Sequence, residues 1–518
     1  MAKKLKDIFL LISVFATGAA VLVIEVVAMR ILSPYFGNTI YTSSSVLGVV
    51  LAALSLGYYL GGRGADKFPL HIFFYGIICL SGLFVLFMQA LIFSLLPILS
   101  FFFSISAGPL VASMVLFFVP AFCLGMLSPF AIKLHGSTAL TASGSDGANI
   151  GKRSGEIFFW STTGSIFGSL FSGFFLVPHF GLAAIIIATG VFLVVWGIAG
   201  LYVFGAPKVF LIAACVLAVY AALLVWSHEP KKNPATVYEK NGTYELVKIV
   251  DGEWQGRPAR FLFQDRSYSA AMYFDSSELV YDYTKYYELY KLVNPDASRA
   301  LVIGGGAYSI PKALLAESSA MRVDVAEIEP ELLELAQRYF KFSPDLSRFQ
   351  NYTEDGRRLL AHPPTGGEKP YDIIYSDVYY SLFSVPSHFT TQEFFVLAKS
   401  RLSSNGVFIA NFGGFLQGEG AAFILSEIKT FNSVFPNHYY FAVTSPDSTK
   451  VQNIIFLGLN DSASINVTAV AQNFSGDFFA ALPQKLIDEK ALNILGTKLM
   501  TDNYAPIEYL VGKIVGQW

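Results

Sequence analysis

Charge is nearly missing from the first 227 residues, and this constrains the fold more than any motif does. Up to Ser227 the only charged side chains are Lys3, Lys4, Lys6, Asp7, Glu25, Arg30, Arg63, Asp66, Lys67, Lys133, Asp146, Lys152, Arg153, Glu156 and Lys208. Beyond His228 charges recur at the density of an ordinary globular domain. The 518-residue chain is 53% hydrophobic and 14% charged, too apolar to be soluble throughout. It therefore divides into an integral membrane domain (1–228), a Pro/Lys-rich linker (229–235) and a soluble half. Net charge is −2, so no basic field argues for nucleic acid. Cys79, Cys123 and Cys215 all lie in apolar segments. The soluble half thus has no disulfide framework and no Cys-based metal site, and no metal is expected.

Seven apolar runs approach the roughly 20 residues needed to cross a bilayer. They cover 8–31, 40–62, 70–96, 109–134, 157–177, 182–204 and 208–227. Lys3, Lys4, Lys6, Arg63, Lys67, Lys133, Lys152, Arg153 and Lys208 fall on one side, while the loops near 97–108 and 178–181 carry no Lys or Arg. The positive-inside rule sets the N-terminus in the cytoplasm of a multi-pass cell-membrane protein. Seven spans would leave the soluble half outside, and one span more or fewer reverses that side. The stretch from Leu70 to Leu134 has room for an extra short segment, bounded by Pro97, Gly108 and Pro109. Small residues at Gly57, Gly61, Gly164 and Gly168 predict close helix packing. Glu25 and Arg30, ionisable groups at or near membrane depth, are candidates for pairing within the bundle, for snorkelling or for function.

The soluble half starts with a β-rich subdomain, 236–290, and ends with a tyrosine run at Tyr281, Tyr283, Tyr286, Tyr287 and Tyr290 on an expected helix. These tyrosines are expected mostly in packing, with one or two at a substrate mouth. From 291 to 518 short apolar strands alternate with helix-length stretches, the pattern of a doubly wound α/β sheet. The strand at 301–303 ends in Gly304-Gly305-Gly306. The next, 322–326, ends at Glu327. A third, near 350–353, ends at Asp355-Gly356, and a fourth, 371–376, ends at Asp377. Ligands of open α/β sheets bind at the carboxyl ends of the strands. A side-chain-free turn lets backbone amides approach a ligand. Glu327 stands 23 residues beyond Gly304, near the offset at which an acidic residue meets ribose hydroxyls.

These blocks, with Pro386–Phe395 and Thr501–Glu508, resemble the polyamine aminopropyltransferases (spermidine synthases). The likeness is closer to members fused to a half-transporter-like bundle. The resemblance implies a Rossmann-like, S-adenosylmethionine-dependent methyltransferase-type domain. It implies that Gly304, Gly305, Gly306, Glu327, Asp355 and Gly356 bind an S-adenosyl nucleotide, Glu327 at the ribose and Asp355 near the adenine amino group. Asp377 would face the reacting centre as general base. The implied reaction moves an aminopropyl group from decarboxylated S-adenosylmethionine to a small-molecule amine.

Two positions depart from the family pattern: Ala307 and Tyr380 stand where it carries Asp. Tyr379, Tyr380 and His388 are then candidates for a different acceptor pocket, with Tyr380 and His388 as further catalytic residues. The departures keep other readings open. These are a catalytically altered nucleotide-binding or scaffold protein, a methyltransferase using intact S-adenosylmethionine, and a permease with a regulatory domain. The expected partners are the lipid bilayer and an amine, with homo-oligomer formation open.

Overall fold

The computed structural model describes residues 2–137, 150–227, 233–364, 370–379, 385–461 and 463–515. It divides into two compact units, Met1–Lys232 and Asn233–Trp518.

The first unit is helical. Helices α1 (Ala2–Phe36), α2 (Ile40–Lys67), α3 (His71–Phe102), α4 (Gly108–Ser137) and α5 (Ile150–Phe171) are followed by a π-helical turn at Ser172–Leu176. Then come α6 (Val177–His179), α7 (Leu182–Val203) and α8 (Lys208–Ser227). Among the described residues, five helical stretches are long and apolar enough to cross a membrane: Lys4–Phe36, Ile40–Lys67, His71–Phe102, Gly108–His135 and Leu182–Val203. That is two fewer than the seven apolar runs. The fifth run starts within α5 and continues through the π-helical turn to Val177, and α5 itself is diluted by Lys152, Arg153, Glu156 and a series of hydroxyl residues. The last gives only the shorter stretch Lys208–Ala221. No extra segment lies between Leu70 and Leu134: α3 runs through Pro97 to Phe102, and α4 starts at Gly108.

Glycine sets how closely these helices approach. A Cβ on Gly57 of α2 would lie 2.5 Å from the Phe122 carbonyl oxygen of α4, and one on Gly61 would lie 2.6 Å from Met126 Cα. Gly164 and Gly168 of α5 face the carbonyls of Phe15 and Ala19 on α1, where Ser165 Oγ donates to the Gly18 carbonyl at 3.1 Å. Backbones at this distance gain dispersion contacts, the attraction left to helices when the solvent is itself apolar. Glu25 and Arg30 lie half-buried on α1.

The second unit opens with an antiparallel meander of β1 (Thr236–Asn241), β2 (Leu246–Trp254), β3 (Arg257–Gln264) and β4 (Ser267–Tyr273). The tyrosine run follows as a 3-10 helix, Asp282–Leu292. The main sheet contains β5 (Arg299–Ile303), β6 (Arg322–Ala326), β7 (Phe349–Tyr352), β8 (Tyr371–Ser376), β9 (Leu402–Gly414), β10 (His438–Ala442) and β11 (Gln452–Leu459). Its order is β10-β11-β9-β8-β5-β6-β7, parallel from β9 to β7 and antiparallel at β10 and β11. Helices α9 (Ser309–Glu317), α10 (Leu332–Tyr339) and α11 (Gly356–Ala361) follow β5, β6 and β7, and α12 (Gln392–Ser400) and α13 (Ala422–Asn432) flank β9.

Period-two alternation splits the strand residues between two buried cores. Val302, Val323, Val325, Ile373 and Tyr375 pack on one face, and Leu301, Ile303, Ile374 and Phe408 on the other. Both faces are buried, as a parallel sheet requires. The strand order reverses at β5, which pairs with β6 on one side and β8 on the other. The crevice at that reversal lies above Ile303 and Ser376, where the glycine run and Asp377 begin.

Candidate active site

The turn after β5 is shaped by what touches it. Gly304 has φ 92° and Gly306 φ 52°, the left-handed region that glycine enters without penalty. A Cβ at Gly304 would also collide with the Asp377 carbonyl oxygen. The ladder brings the two strand ends together, with the Asp377 amide donating to the Ile303 carbonyl at 2.9 Å. Glu327 folds into this turn. Its Oε2 accepts from the Gly305 amide at 2.7 Å and the Gly306 amide at 3.3 Å, and its Oε1 accepts from the Glu329 amide at 2.8 Å. Burial pushes the Glu327 carboxyl upward, while the three amides pull it back.

Asp355 caps α11, its Oδ1 accepting from the Arg358 amide at 3.0 Å. Its Oδ2 meets His388 Nε2 at 2.9 Å. Burial would raise this carboxyl, but the His388 and Arg358 bonds outweigh it and hold the group below the ordinary aspartate range. Behind it, Arg357 binds Asp502 through Nη1 and Nη2 at 2.7 and 2.5 Å, and Nη1 also donates to the His388 carbonyl at 2.9 Å. Thr391 Oγ1 also donates to Asp502, at 2.7 Å. Three distant segments around residues 355, 388 and 502 are thereby tied into one wall.

Asp377 sits half-buried past the end of β8. Asn411 Nδ2 donates to its Oδ1 at 2.9 Å, and the Tyr283 hydroxyl, which donates to the Ser269 carbonyl at 3.4 Å, lies near enough to favour its charged form. Burial pushes Asp377 up to about 6 despite the Asn411 bond and the nearby Tyr283 hydroxyl. Tyr379 closes the floor: its hydroxyl accepts from the Gly413 amide at 2.6 Å and donates to the Asn411 carbonyl at 3.2 Å.

These groups surround one cavity of about 400 Å³. Gly304, Gly305, Gly306, Glu327, Asp355, Gly356 and Asp377 all line it. His388 does not; it stands behind Asp355 and orients that carboxylate. Tyr380 lies outside the described residues. From the tyrosine run, Tyr281 and Tyr283 reach the cavity, whereas Tyr286, Tyr287 and Tyr290 are buried in the core. Ala307 also lines the cavity, buried at the turn.

Sequence reasoning missed Glu245, Asn411 and Asn453, all on the cavity wall. Glu245 is buried and accepts a hydrogen bond from Gln264 Nε2. Burial, with the nearby carboxylates of Asp265, Glu327 and Glu329, pushes it well above the ordinary glutamate range. It directly precedes β2 and shares parity with the buried Val247 and Ile249, so the alternation running into that strand held the signal that it points inward. The lining thus carries five carboxylates, Glu245, Glu327, Glu354, Asp355 and Asp377, and among the described residues no Lys, Arg or His.

No family model matches the chain. Over 228 residues it is 29% identical to a polyamine aminopropyltransferase from Vibrio vulnificus, covering 42% of this chain and 72% of the relative. Over 118 residues it is 35% identical to the human eEF1A lysine and N-terminal methyltransferase, covering 21% of this chain and 17% of that protein. It therefore spans only about a sixth of the methyltransferase's length. Among solved structures, a probable spermidine synthase from Corynebacterium glutamicum aligns with 54% of this chain and 99% of its own, at TM-score 0.42 and 20% identity. The chain is similar to polyamine aminopropyltransferases, with a shorter segment shared with methyltransferases.

Proposed function

We propose that this protein is a membrane-integrated aminopropyltransferase that moves an aminopropyl group from decarboxylated S-adenosylmethionine to an amine. The observation that carries this reading is the acidity of the cavity: five carboxyl groups, Glu245 held toward its neutral form by burial, and, among the described residues, no basic side chain. Decarboxylated S-adenosylmethionine is cationic at both its sulfonium and its ammonium. The acceptor, protonated in water, adds another cation. Such ligands gain from an acidic, partly desolvated wall. Intact S-adenosylmethionine would bring a carboxylate to the same wall, where the described residues offer it no cationic side chain. Similarity to aminopropyltransferases supports the reading.

In this reading Glu327 holds the ribose hydroxyls and Asp355 faces the adenine amino group. The acceptor must attack as a free amine. Its nitrogen lone pair forms the new N–C bond as the C–S bond breaks, and the bonding pair stays on sulfur, which leaves as a neutral thioether. The proton released from nitrogen passes to Asp377. A carboxyl near 6 suits this proton transfer, being ionised at neutral pH yet more basic than an ordinary aspartate.

The shared methyltransferase segment favours methyl transfer as a second reading. One assay separates the two. Purified full-length protein is given decarboxylated or intact S-adenosylmethionine with a panel of amines, and both thioether products are measured. Turnover with only the decarboxylated compound is expected; turnover with only intact S-adenosylmethionine overturns the aminopropyl reading.

The five apolar helices and Lys3, Lys4 and Lys6 support a multi-pass protein with a cytoplasmic N-terminus. If α5 and α8 both cross the bilayer, or neither does, the number of spans is odd and the soluble unit lies opposite the N-terminus. If one alone crosses, the two share a side. A cysteine at exposed Asp447 reads this directly. Labelling by an impermeant thiol reagent in intact cells gives the odd count, and labelling only after lysis gives the even one, with cytosolic S-adenosyl nucleotide in reach.

A further inference from the structure

Asn411 and Asn453 are diagonal neighbours across β9 and β11, Asn411 pairing with Ile455 and Asn453 with Gly413. The strand backbones carry the sheet, so neither amide side chain is needed for pairing. Both instead line the cavity and point at one another. Asn453 Nδ2 donates to Asn411 Oδ1 at 2.9 Å, and Asn411 Nδ2 donates to Asp377 Oδ1 at 2.9 Å. Gly413, opposite Asn453, leaves the space beside that side chain open except for the Tyr379 hydroxyl.

The polarity of this chain follows from chemistry. An ionised carboxylate only accepts, whereas an amide has a donating and an accepting end of nearly equal size. Asn411 must turn its NH₂ toward an ionised Asp377, so its oxygen faces Asn453, which must donate in turn. Without Asn453, the buried Asn411 oxygen loses its donor, and the flipped amide, whose carbonyl can accept only from a protonated Asp377, competes better, which favours the neutral acid.

We propose that Asn411 and Asn453 form a two-amide relay that positions the Asp377 carboxylate and holds it ionised, with Asn453 acting only through Asn411. This rests on the proposed role of Asp377 as base. The other groups facing Asp377 are hydroxyls: Tyr283 from the 3-10 helix, Tyr375 from β8 and Tyr379 from the loop after β8. No Lys, Arg or His among the described cavity residues competes for it.

The test is an infrared titration of the full-length protein in lipid nanodiscs. The carboxyl band that disappears in Asp377→Asn reports Asp377, with a midpoint expected near 6 in the native chain. Asn411→Ala should raise the midpoint by about one pH unit, the loss of one hydrogen bond to a charged group. Asn453→Ala should move it the same way by less. The double variant should match Asn411→Ala alone, because the second amide has nothing left to act on. An unmoved midpoint in Asn411→Ala, or an Asn453 effect that persists without Asn411, overturns the relay. Should Asn411→Ala fail to fold, Asn453→Ala decides alone, and an unmoved midpoint overturns the proposal. The titration needs no turnover. A native protein that never transfers an aminopropyl group would therefore sink the proposed function while leaving the relay measurable.

Discussion

Asp355 and Asp377 are the same side chain at the ends of parallel strands of one sheet, in one cavity, yet their surroundings drive them in opposite directions. At the start of α11, Asp355 receives the Arg358 amide and His388 and is held below the ordinary aspartate range. Past the end of β8, Asp377 receives Asn411 and has the Tyr283 hydroxyl nearby, but burial dominates and lifts it to about 6. The first is suited to staying charged while it holds a ligand. The second is suited to changing charge while a reaction proceeds. Environments that push paired carboxyls apart are the usual mark of separate chemical roles.

The largest expected effect tests this division. Asp377→Asn should lower kcat by about a hundredfold or more, the usual scale of a lost general base, and leave nucleotide affinity within a few-fold. Asp355→Asn should do the reverse, raising the nucleotide Kd about tenfold with kcat nearly kept. Steady-state kinetics and calorimetric binding decide between them. If Asp355→Asn cuts kcat as deeply as Asp377→Asn with Kd unmoved, the division is wrong. In the native protein kcat/KM should fall as pH drops through about 6, since protonated Asp377 cannot accept the proton.

Stability should separate the same two residues by sign. Asp377 titrates higher in the folded chain than its ordinary value of 3.8, so its contribution is fully present below that value and is lost as pH rises through about 6. At pH 7 the ionised group therefore costs stability, on the order of 3 kcal/mol at most. Asp377→Asn should melt at a higher temperature than the native protein at pH 7, with the gap closing toward pH 4. Asp355 titrates lower when folded, so its contribution is present above its unfolded value and lost as pH falls through the depressed one. Asp355→Asn should melt lower at pH 7, by about 1 kcal/mol for a weakened cap and a lost His388 bond. Thermal melts of both variants over pH 4 to 8 check the pair, and the same sign in both would break the comparison.

How much of this was legible in the sequence follows strand ends. Gly304 to Gly306, Glu327, Asp355 and Asp377 each punctuate the carboxyl end of an apolar strand, and local order sufficed to bring them to one crevice. Asn411 and Asn453 sit inside strands, at positions that read as ordinary sheet. Their meeting with Asp377 depends on β9 lying between β8 and β11, a pairing no local pattern announces. Glu245 was accessible through the parity of β2 but lay outside the glycine-and-acid pattern. In the helical unit, apolar runs located the helices well. Their number as spans was less legible, because α5 mixes charges and hydroxyls with its small-residue face.

The smallest effect sharpens the comparison most, because it concerns a residue that sequence alone placed among the catalytic candidates. His388 offers Asp355 its ring nitrogen and Arg357 its carbonyl, and its ring does not reach the cavity wall. It should therefore act on the Asp355 end of the cavity only. His388→Ala leaves the backbone carbonyl for Arg357 and removes one partner of Asp355, while the Arg358 amide still caps the helix. The nucleotide Kd should rise about three- to tenfold, the worth of about one hydrogen bond, and kcat should stay within about threefold of native. The acid limb of kcat/KM should remain near 6, because the surroundings of Asp377, Asn411 and Tyr283 included, are untouched. A hundredfold loss of kcat with Kd unchanged, together with a displaced acid limb, would transfer the base role from Asp377 to His388 and end the division of labour between the two aspartates.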